Sequence, residues 1–320
     1  MLIIPIFVPH EGCRHDCCFC NQRKISGQSA APSPEEVRRT IDSYLDIIPR
    51  YDVVQIAFFG GSFTGIPRAL QEKYLETAAI YIRDHLVDSV RISTRPDSID
   101  PDILSMLKAY SVRTIELGAQ SMDDAVLRCA GRGHTAADTQ KAAELIRLSG
   151  FELGLQTMTG LPGATDESDI ATAEKIIRLR PDLVRIYPTV VIKGTRLHTM
   201  YERGEYEARA LDKTVALCAD LMVKYESENI KVIRMGLQSS DGISTDGEIA
   251  AGPYHPAFGQ LVKSQLAYRR LLEIGEVRDG EYTAYVPAKE LSDYIGQRKC
   301  NIKALQERFG YKKVLIKPIN

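Results

Sequence analysis

The feature that most constrains the fold is a regular alternation of short apolar runs and amphipathic segments. The runs are rich in β-branched residues, and the segments between them space their apolar residues at a helical period. Ser33-Pro34-Glu35-Glu36, for example, combines an N-cap residue, a proline at the first helical position and a capping-box glutamate. Strands and helices that alternate in this way predict parallel βα units, in a barrel or a doubly wound sheet. The six predicted strands are Leu2–Val8, Val53–Phe59, Ser89–Thr94, Arg113–Leu117, Glu152–Thr157 and Leu183–Tyr187.

The last part of the chain has a different pattern. Residues 256–274 predict one helix, and a compact β-α-α-β order follows, with strands at Tyr282–Val286 and Lys313–Lys317. We therefore expect a boundary near residue 250, between a large α/β domain over residues 1–250 and a small α+β module, preceded by a helix, over residues 251–320.

Clustered cysteines follow the first predicted strand. Cys13, Cys17 and Cys20 form a C-x3-C-x2-C pattern, whereas a disulfide framework would spread its cysteines along a secreted chain. Three thiolates on one loop can hold three irons of a [4Fe–4S] cluster and leave the fourth iron open, whereas ferredoxin-type clusters use four cysteines. The alternative is a zinc knuckle completed by His10 or His15.

Five further stretches form recognisable motifs: ISTRPDSID (92–100), IELGAQS (115–121), GRGHT (131–135), TGLPG (159–163) and VRIYPTVVIKGTRL (184–197). Together with the cysteine pattern and the Gly60-Gly61 pair, they resemble the radical S-adenosylmethionine (radical SAM) superfamily, and within it the radical SAM domain of the catalytic subunit of Elongator. That enzyme modifies wobble uridine in tRNA. Two departures stand out: Cys13 and Cys17 are closer together than in Elongator, and the residues after the expected boundary are too few for its acetyltransferase domain. We therefore do not expect its carboxymethylation reaction.

The resemblance implies an α/β fold, an incomplete (β/α)6 TIM-type barrel with the site at the carboxyl ends of its strands. It implies a radical SAM enzyme whose Cys13, Cys17 and Cys20 bind a [4Fe–4S] cluster that cleaves S-adenosylmethionine to a 5′-deoxyadenosyl radical. A one-electron reductase of the flavodoxin or ferredoxin type is the expected partner. The residues expected to line the cofactor are Phe19, Gly60, Gly61, Ser62, Thr94, Glu116, Gln120, Gln156, Met158 and Tyr187. Glu116 has an alternative role, as a structural partner of Arg95 or Arg185 inside the barrel.

The C-terminal β-α-α-β pattern resembles the minimal core of a KH domain, whose G-x-x-G loop clamps single-stranded nucleic acid. The corresponding loop here is Gly296-Gln297-Arg298-Lys299, with a lysine in place of the second glycine. Residues 281–320 contain eight Lys/Arg and four Asp/Glu, a local charge of +4. We expect RNA contacts from Gly296, Arg298, Lys299 and Lys303. The alternative is a degenerate KH-like module that only packs against the barrel.

Composition and charge bear on binding to nucleic acid and to membranes. The net charge of −1 gives the whole chain no bias towards polyanions, so RNA binding needs such a local patch. No apolar run approaches the ~20 residues that span a bilayer, and the N-terminal apolar run has the pattern of a strand and not of a signal peptide. We expect a cytoplasmic enzyme, without membrane contact, that modifies RNA, most simply tRNA. The alternatives are a radical SAM enzyme for a small metabolite or peptide, and a non-catalytic metal-containing RNA-binding protein.

Overall fold

A computed structural model describes residues 2–8, 12–13, 15–21, 30–47, 53–237 and 247–319. Seven of its strands form one parallel sheet, in the order β1-β2-β3-β4-β5-β6-β8, with β1 and β8 at the edges. The strands are β1 (Leu2–Val8), β2 (Val54–Gly60), β3 (Ser89–Thr94), β4 (Val112–Gln120), β5 (Glu152–Thr159), β6 (Leu183–Pro188), β7 (Val191–Ile192), β8 (Lys231–Met235), β9 (Ile249–Ala251), β10 (Glu276–Arg278), β11 (Glu281–Pro287) and β12 (Lys313–Ile319).

The six strands expected from the sequence are all present, and the α/β class and the partial barrel are confirmed. The sheet contains one strand more than expected, β8, which pairs with β6. Its sequence, KVIRM, lacks a continuous apolar run because this edge strand keeps its side chains partly exposed. A strand of this kind gives only a weak hydrophobic signal.

Helices connect the strands and cover the sheet. They are α1 (Pro34–Ile47), α2 (Arg68–Arg83), α3 (Pro101–Ala109), α4 (Asp124–Cys129), α5 (Ala136–Leu148), α6 (Asp166–Arg178), α7 (Arg196–Glu202), α8 (Leu211–Ser227), α9 (Phe258–Ile274), α10 (Leu291–Ile295) and α11 (Cys300–Phe309). The predicted start of α1 is confirmed, since the Glu36 amide donates to Ser33 Oγ and the Ser33 amide donates to the Glu36 carboxylate. None of the helices in the described ranges is long and apolar enough to cross a membrane.

The helix α9 contributes to two separate apolar cores. Phe258 and Val262, in the first half of α9, pack into the barrel core. Ala267 and Leu271, in its second half, pack into a separate core under a three-stranded sheet. In that sheet β11 is antiparallel to β10 and parallel to β12, so the predicted β-α-α-β order is present as β11, α10, α11 and β12. Its KH-like character and the boundary near residue 250 stay predictions.

Candidate active site

The cysteine loop follows β1 and is fixed to the barrel at Cys18. The Cys18 amide donates to the Ala130 carbonyl at 2.9 Å, and the Cys18 carbonyl accepts from the Leu197 amide at 2.8 Å. The Cys18 side chain has no exposed surface, and burial raises the pKa of its thiol to about 11. Cys18 therefore packs as a neutral core residue, as expected for a cysteine that binds no metal.

The Cys18 side chain belongs to a small apolar cluster, here called the cysteine-loop core. The other members are Val126, Ala130, Leu161, Val191, Leu197 and Tyr206. Phe19 and Met158, two of the predicted cofactor residues, pack against this core and remain half-buried. Apolar packing thus fixes the inner part of the loop, and the neighbouring cysteines are left for other contacts.

Cys13, Cys17 and Cys20 form no disulfide, and they lie at or near the surface. Arg132 Nη1 donates to Cys17 Sγ at 3.3 Å. Burial and the nearby Cys17 raise the pKa of the Cys13 thiol, while the guanidinium groups of Arg95 and Arg132 oppose that rise. A cavity of about 350 Å³ adjoins two of these cysteines and is lined by Asp16, Cys17, Cys20, Asn21, Gly194, Thr195 and Arg196.

This donor set suits an iron–sulfur cluster better than a single metal ion. In the described part of the chain, no three His, Cys, Asp or Glu side chains converge as ligands of one ion do. His15, one candidate to complete a zinc site, lies with its Nε2 3.7 Å from Asp97 Oδ2. The other candidate, His10, lies outside the described residues. A [4Fe–4S] cluster has a separate iron for each thiolate, so its cysteines need not meet at one point. Three thiols on one loop, none of them in a disulfide, fit that requirement.

The end of β2 lies close against the end of β1, which leads into the cysteine loop. Gly60 has φ +110°, and a Cβ there would lie 3.0 Å from the Val8 carbonyl oxygen. The Gly61 amide donates to the same oxygen at 2.8 Å. A Cβ on Gly12 would lie 2.3 Å from the Ser62 carbonyl oxygen. The contacts at Gly12 and Gly60 require glycine, and together with the Gly61 bond they bring the predicted residues Gly60, Gly61 and Ser62 next to the cysteines.

Buried hydroxyl groups connect the end of β2 to the end of β3. Ser62 Oγ and Thr64 Oγ1 hydrogen-bond to Thr94 Oγ1 at 2.9 and 2.6 Å. Ser62 Oγ also accepts from the Arg95 amide at 3.3 Å. The predicted pair Ser62 and Thr94 is therefore in direct contact, and these hydroxyls hold the ends of β2 and β3 together.

Glu116, on β4, lies at the centre of a buried ion network in the barrel. Its carboxylate accepts from Arg185 Nε and Nη2 at 2.6 and 2.9 Å and from Arg91 Nη1 at 2.7 Å. Gln156 Nε2 donates to it at 3.2 Å. Burial alone would raise the pKa of Glu116, but the two guanidinium groups outweigh burial and lower it. The structure thus shows the pairing with Arg185 that the sequence left open.

The second arginine of this network is Arg91 and not Arg95, which the sequence offered as a partner of Glu116. Arg95 does not reach Glu116 but pairs with Asp97, at 2.8 Å from Nε to Oδ1. Arg91 takes its place and also donates to Gln55 Oε1 at 3.2 and 3.1 Å. Arg91 was not among the residues predicted from the sequence. Its position could have indicated the role, because a lone arginine inside an apolar strand needs a buried acidic or hydrogen-bonding partner.

Two further predicted residues lie at strand ends near this network. The Tyr187 hydroxyl accepts from Arg185 Nη1 at 3.4 Å. Gln120, at the end of β4, has φ +64° and is 8% exposed. A left-handed backbone is uncommon for a residue other than glycine, and such strained residues cluster at active sites when the surrounding structure holds them in place.

The basic loop at the C-terminal module is tied to α9. Asn301 Nδ2 donates to the Ser264 and Tyr294 carbonyls at 3.0 and 3.1 Å, and Gln297 Nε2 donates to Gln260 Oε1 at 2.9 Å. The loop backbone is left-handed at Arg298 and Lys299, with φ of 51° and 61°. The four predicted RNA contacts divide into the buried Gly296 and three exposed side chains, Arg298, Lys299 and Lys303.

Comparisons with known proteins define the class. Residues 7–176 match the model of the radical SAM superfamily, and residues 181–268 match that of the radical SAM C-terminal domain. The chain therefore belongs to the radical SAM superfamily, and it is an enzyme with the cofactors of that superfamily, a [4Fe–4S] cluster and S-adenosylmethionine.

Within the superfamily, the chain is similar to Elongator-type proteins. It is 39% identical over 140 residues to the tRNA uridine(34) acetyltransferase of Methanocaldococcus jannaschii, covering 42% of this chain and 25% of that protein. It is 26% identical over 207 residues to Elongator complex protein 3 of Homo sapiens, covering 58% of this chain and 38% of that one. Its fold matches the archaeal Elp3 of Methanocaldococcus infernus with a TM-score of 0.69 at 22% identity, over 84% of this chain and 63% of that structure. The predicted resemblance is confirmed, although the chain spans only part of these relatives.

Proposed function

We propose that this protein is a radical SAM enzyme that modifies tRNA, with Cys13, Cys17 and Cys20 each binding one iron of its cluster. The observation that carries the proposal is the set of three thiols, none of them in a disulfide, on a loop that the buried Cys18 anchors beside the Gly60-Gly61 turn. When bound and reduced, the cluster supplies the electron that cleaves S-adenosylmethionine to methionine and the 5′-deoxyadenosyl radical. We propose a flavodoxin- or ferredoxin-type protein as the electron donor.

The remaining predicted residues would hold S-adenosylmethionine in three groups. Backbone groups of Gly60 and Gly61, with the hydroxyls of Ser62 and Thr94, would bind its methionine part beside the cysteine loop. Polar side chains at the strand ends would orient the ribose, and apolar packing would exclude water around the adenine. Gln120, Gln156 and Tyr187 belong to the second group, and Phe19 and Met158 to the third. Glu116 would act through its contacts, because both of its oxygens are already engaged by Arg91 and Arg185.

The RNA substrate is supported by the relatives and by the C-terminal module. The archaeal and human relatives are a tRNA uridine acetyltransferase and an Elongator protein by name. The exposed cations at Arg298, Lys299 and Lys303 form a patch suited to phosphates, and the Gln297–Gln260 bond fixes its position on α9. The first residues of α9 lie beside the carboxyl end of β8, since a Cβ on Gly259 would be 3.6 Å from the Met235 carbonyl oxygen. An RNA held at this loop would therefore lie at the carboxyl end of β8, the same end of the parallel sheet at which the cysteine loop follows β1.

Anaerobic reconstitution with iron and sulfide tests the enzyme proposal. The wild type should bind about four irons, and with dithionite and S-adenosylmethionine it should release 5′-deoxyadenosine. C13A, C17A and C20A should each abolish that product. C129A is the matched control, because Cys129 is an exposed cysteine outside the loop. A wild type without iron favours the non-catalytic alternative. Full product from any of the three loop variants contradicts the ligand assignment of that cysteine.

RNA binding is tested with charge reversals in the full chain. R298E and K299E should each weaken the binding of unmodified tRNA, and the salt dependence of log affinity should become shallower by roughly 0.7 per lost phosphate contact. R83E is the control, because Arg83 is an exposed arginine, 75% accessible, on α2 of the barrel. Equal tRNA affinity in all variants, with intact cleavage of S-adenosylmethionine, favours a small metabolite or peptide substrate.

A further inference from the structure

A buried arginine without an acidic partner lies beside the cysteine loop. Arg132 is 6% exposed, and it takes part in none of the ion pairs between described residues. Its Nη1 donates to Cys17 Sγ at 3.3 Å and its Nη2 to the Gly118 carbonyl at 2.5 Å. Its Nε, equally buried, has no hydrogen-bond partner in the described ranges. A buried cation is costly unless an anion compensates it.

The neighbouring groups do not provide that anion. Asp97 is the nearby carboxylate, and both of its oxygens bind Arg95, at 2.8 and 3.1 Å. Arg95 Nη2 also donates to the Arg132 carbonyl, so a second guanidinium lies close to Arg132 and adds to the positive charge. His134 contributes a neutral ring, because burial, Arg132 and Arg95 lower its pKa to about 4. Among the described residues, Arg132 donates to Cys17 Sγ and to the Gly118 carbonyl, and of these two groups the sulfur is the one that can carry a full negative charge.

From these contacts we infer that Arg132 is a positioning residue whose positive charge stabilises the reduced state of the [4Fe–4S] cluster and so raises its midpoint potential. The inference rests on the proposed function, in which Cys17 is an iron ligand. One-electron reduction adds a negative charge to the cluster, and a fixed cation in a site of low dielectric constant favours the more negative state. The bonds to Cys17 Sγ and to the Gly118 carbonyl hold the guanidinium in place, so this effect does not depend on a mobile side chain.

Arg132→Gln and Arg132→Lys separate the charge from the hydrogen bond. Gln keeps a donor for Cys17 Sγ without the charge, and Lys keeps the charge without the two-pronged geometry. Arg128→Gln is the control, because Arg128 is an exposed arginine in the last turn of α4, where water screens its charge. The four proteins, reconstituted anaerobically, are titrated with dithionite in the absence of S-adenosylmethionine, and the signal of the reduced cluster is followed by electron paramagnetic resonance.

The expected order is a midpoint potential that is more negative in R132Q than in the wild type, with R132K and R128Q close to the wild type. Equal potentials in R132Q and R132K overturn the inference. If R132Q does not retain its cluster, the iron content decides: retention in R132K supports the charge role, and loss in both variants overturns it. A wild type that binds no iron refutes the proposed function itself, whereas a normal cluster with an unchanged potential in R132Q refutes only this inference.

Discussion

Replacing Glu116 with glutamine measures how far the buried ion network stabilises the barrel. Glu116 has no exposed surface, and its carboxylate binds Arg91 and Arg185, whose side chains are 4% and 13% exposed. E116Q preserves the volume of the side chain but removes the charge that both guanidinium groups contact. Breaking a buried pair by removing one partner costs about 3–5 kcal/mol. Because two cations lose their partner here, we expect the upper half of that range.

Urea unfolding followed by circular dichroism at pH 7 gives the free energy of unfolding of each variant. With a slope of about 3 kcal/mol per molar urea, the expected loss lowers the midpoint of E116Q by more than about 1 M. Glu174→Gln is the control, since the Glu174–Lys224 pair is 2.9 Å apart but 48% and 40% exposed. Exposed pairs of this kind contribute about 0–1 kcal/mol. A loss below about 1 kcal/mol in E116Q would refute the claim that the network stabilises the fold.

Three further predictions concern Glu116, His134 and Gly65. The pKa of Glu116 is lower in the folded state than in the unfolded state, where it is about 4.3. The charged carboxylate therefore stabilises the fold fully above that unfolded pKa, and this contribution is lost as the pH falls through the folded pKa. In acid, the free energies of unfolding of the wild type and E116Q should converge. The pKa of His134 is lowered to about 4, so between roughly pH 6.5 and pH 4 the unfolded chain binds a proton that the folded chain does not. The free energy of unfolding should therefore decrease as the pH decreases through this range, and it should decrease less in H134N. In G65A the new Cβ would lie 2.3 Å from the Gly12 carbonyl oxygen, so the cysteine loop should shift and bind less iron on reconstitution. G259A, whose nearest contact is 3.6 Å, should keep its iron, and equal iron in both variants would contradict the packing argument.

Much of the fold and of the cysteine loop follows from local sequence signals. Alternating apolar runs gave the six strands, and the Ser33-Pro34-Glu35-Glu36 pattern gave the start of α1. The one strand of the seven-stranded sheet that was not predicted, β8, has a mixed pattern because an edge strand buries little of its surface. Each of these features is set by side chains within a few residues of one another, which is why the sequence alone can show them.

The sequence by itself determined the superfamily and its cofactors, and it predicts the three cysteines as the cluster ligands, since these depend on residue types at fixed short spacings. Only the tertiary structure decided which charges meet. Arg91 and Arg185 contact Glu116 across 25 and 69 positions, and Arg132 contacts Cys17 across 115. Such pairs depend on the order and register of the strands and on how the cysteine loop packs against the barrel, which no short spacing records. The partners of the buried arginines, and with them the charge beside the cysteines, therefore become visible only when the chain is folded.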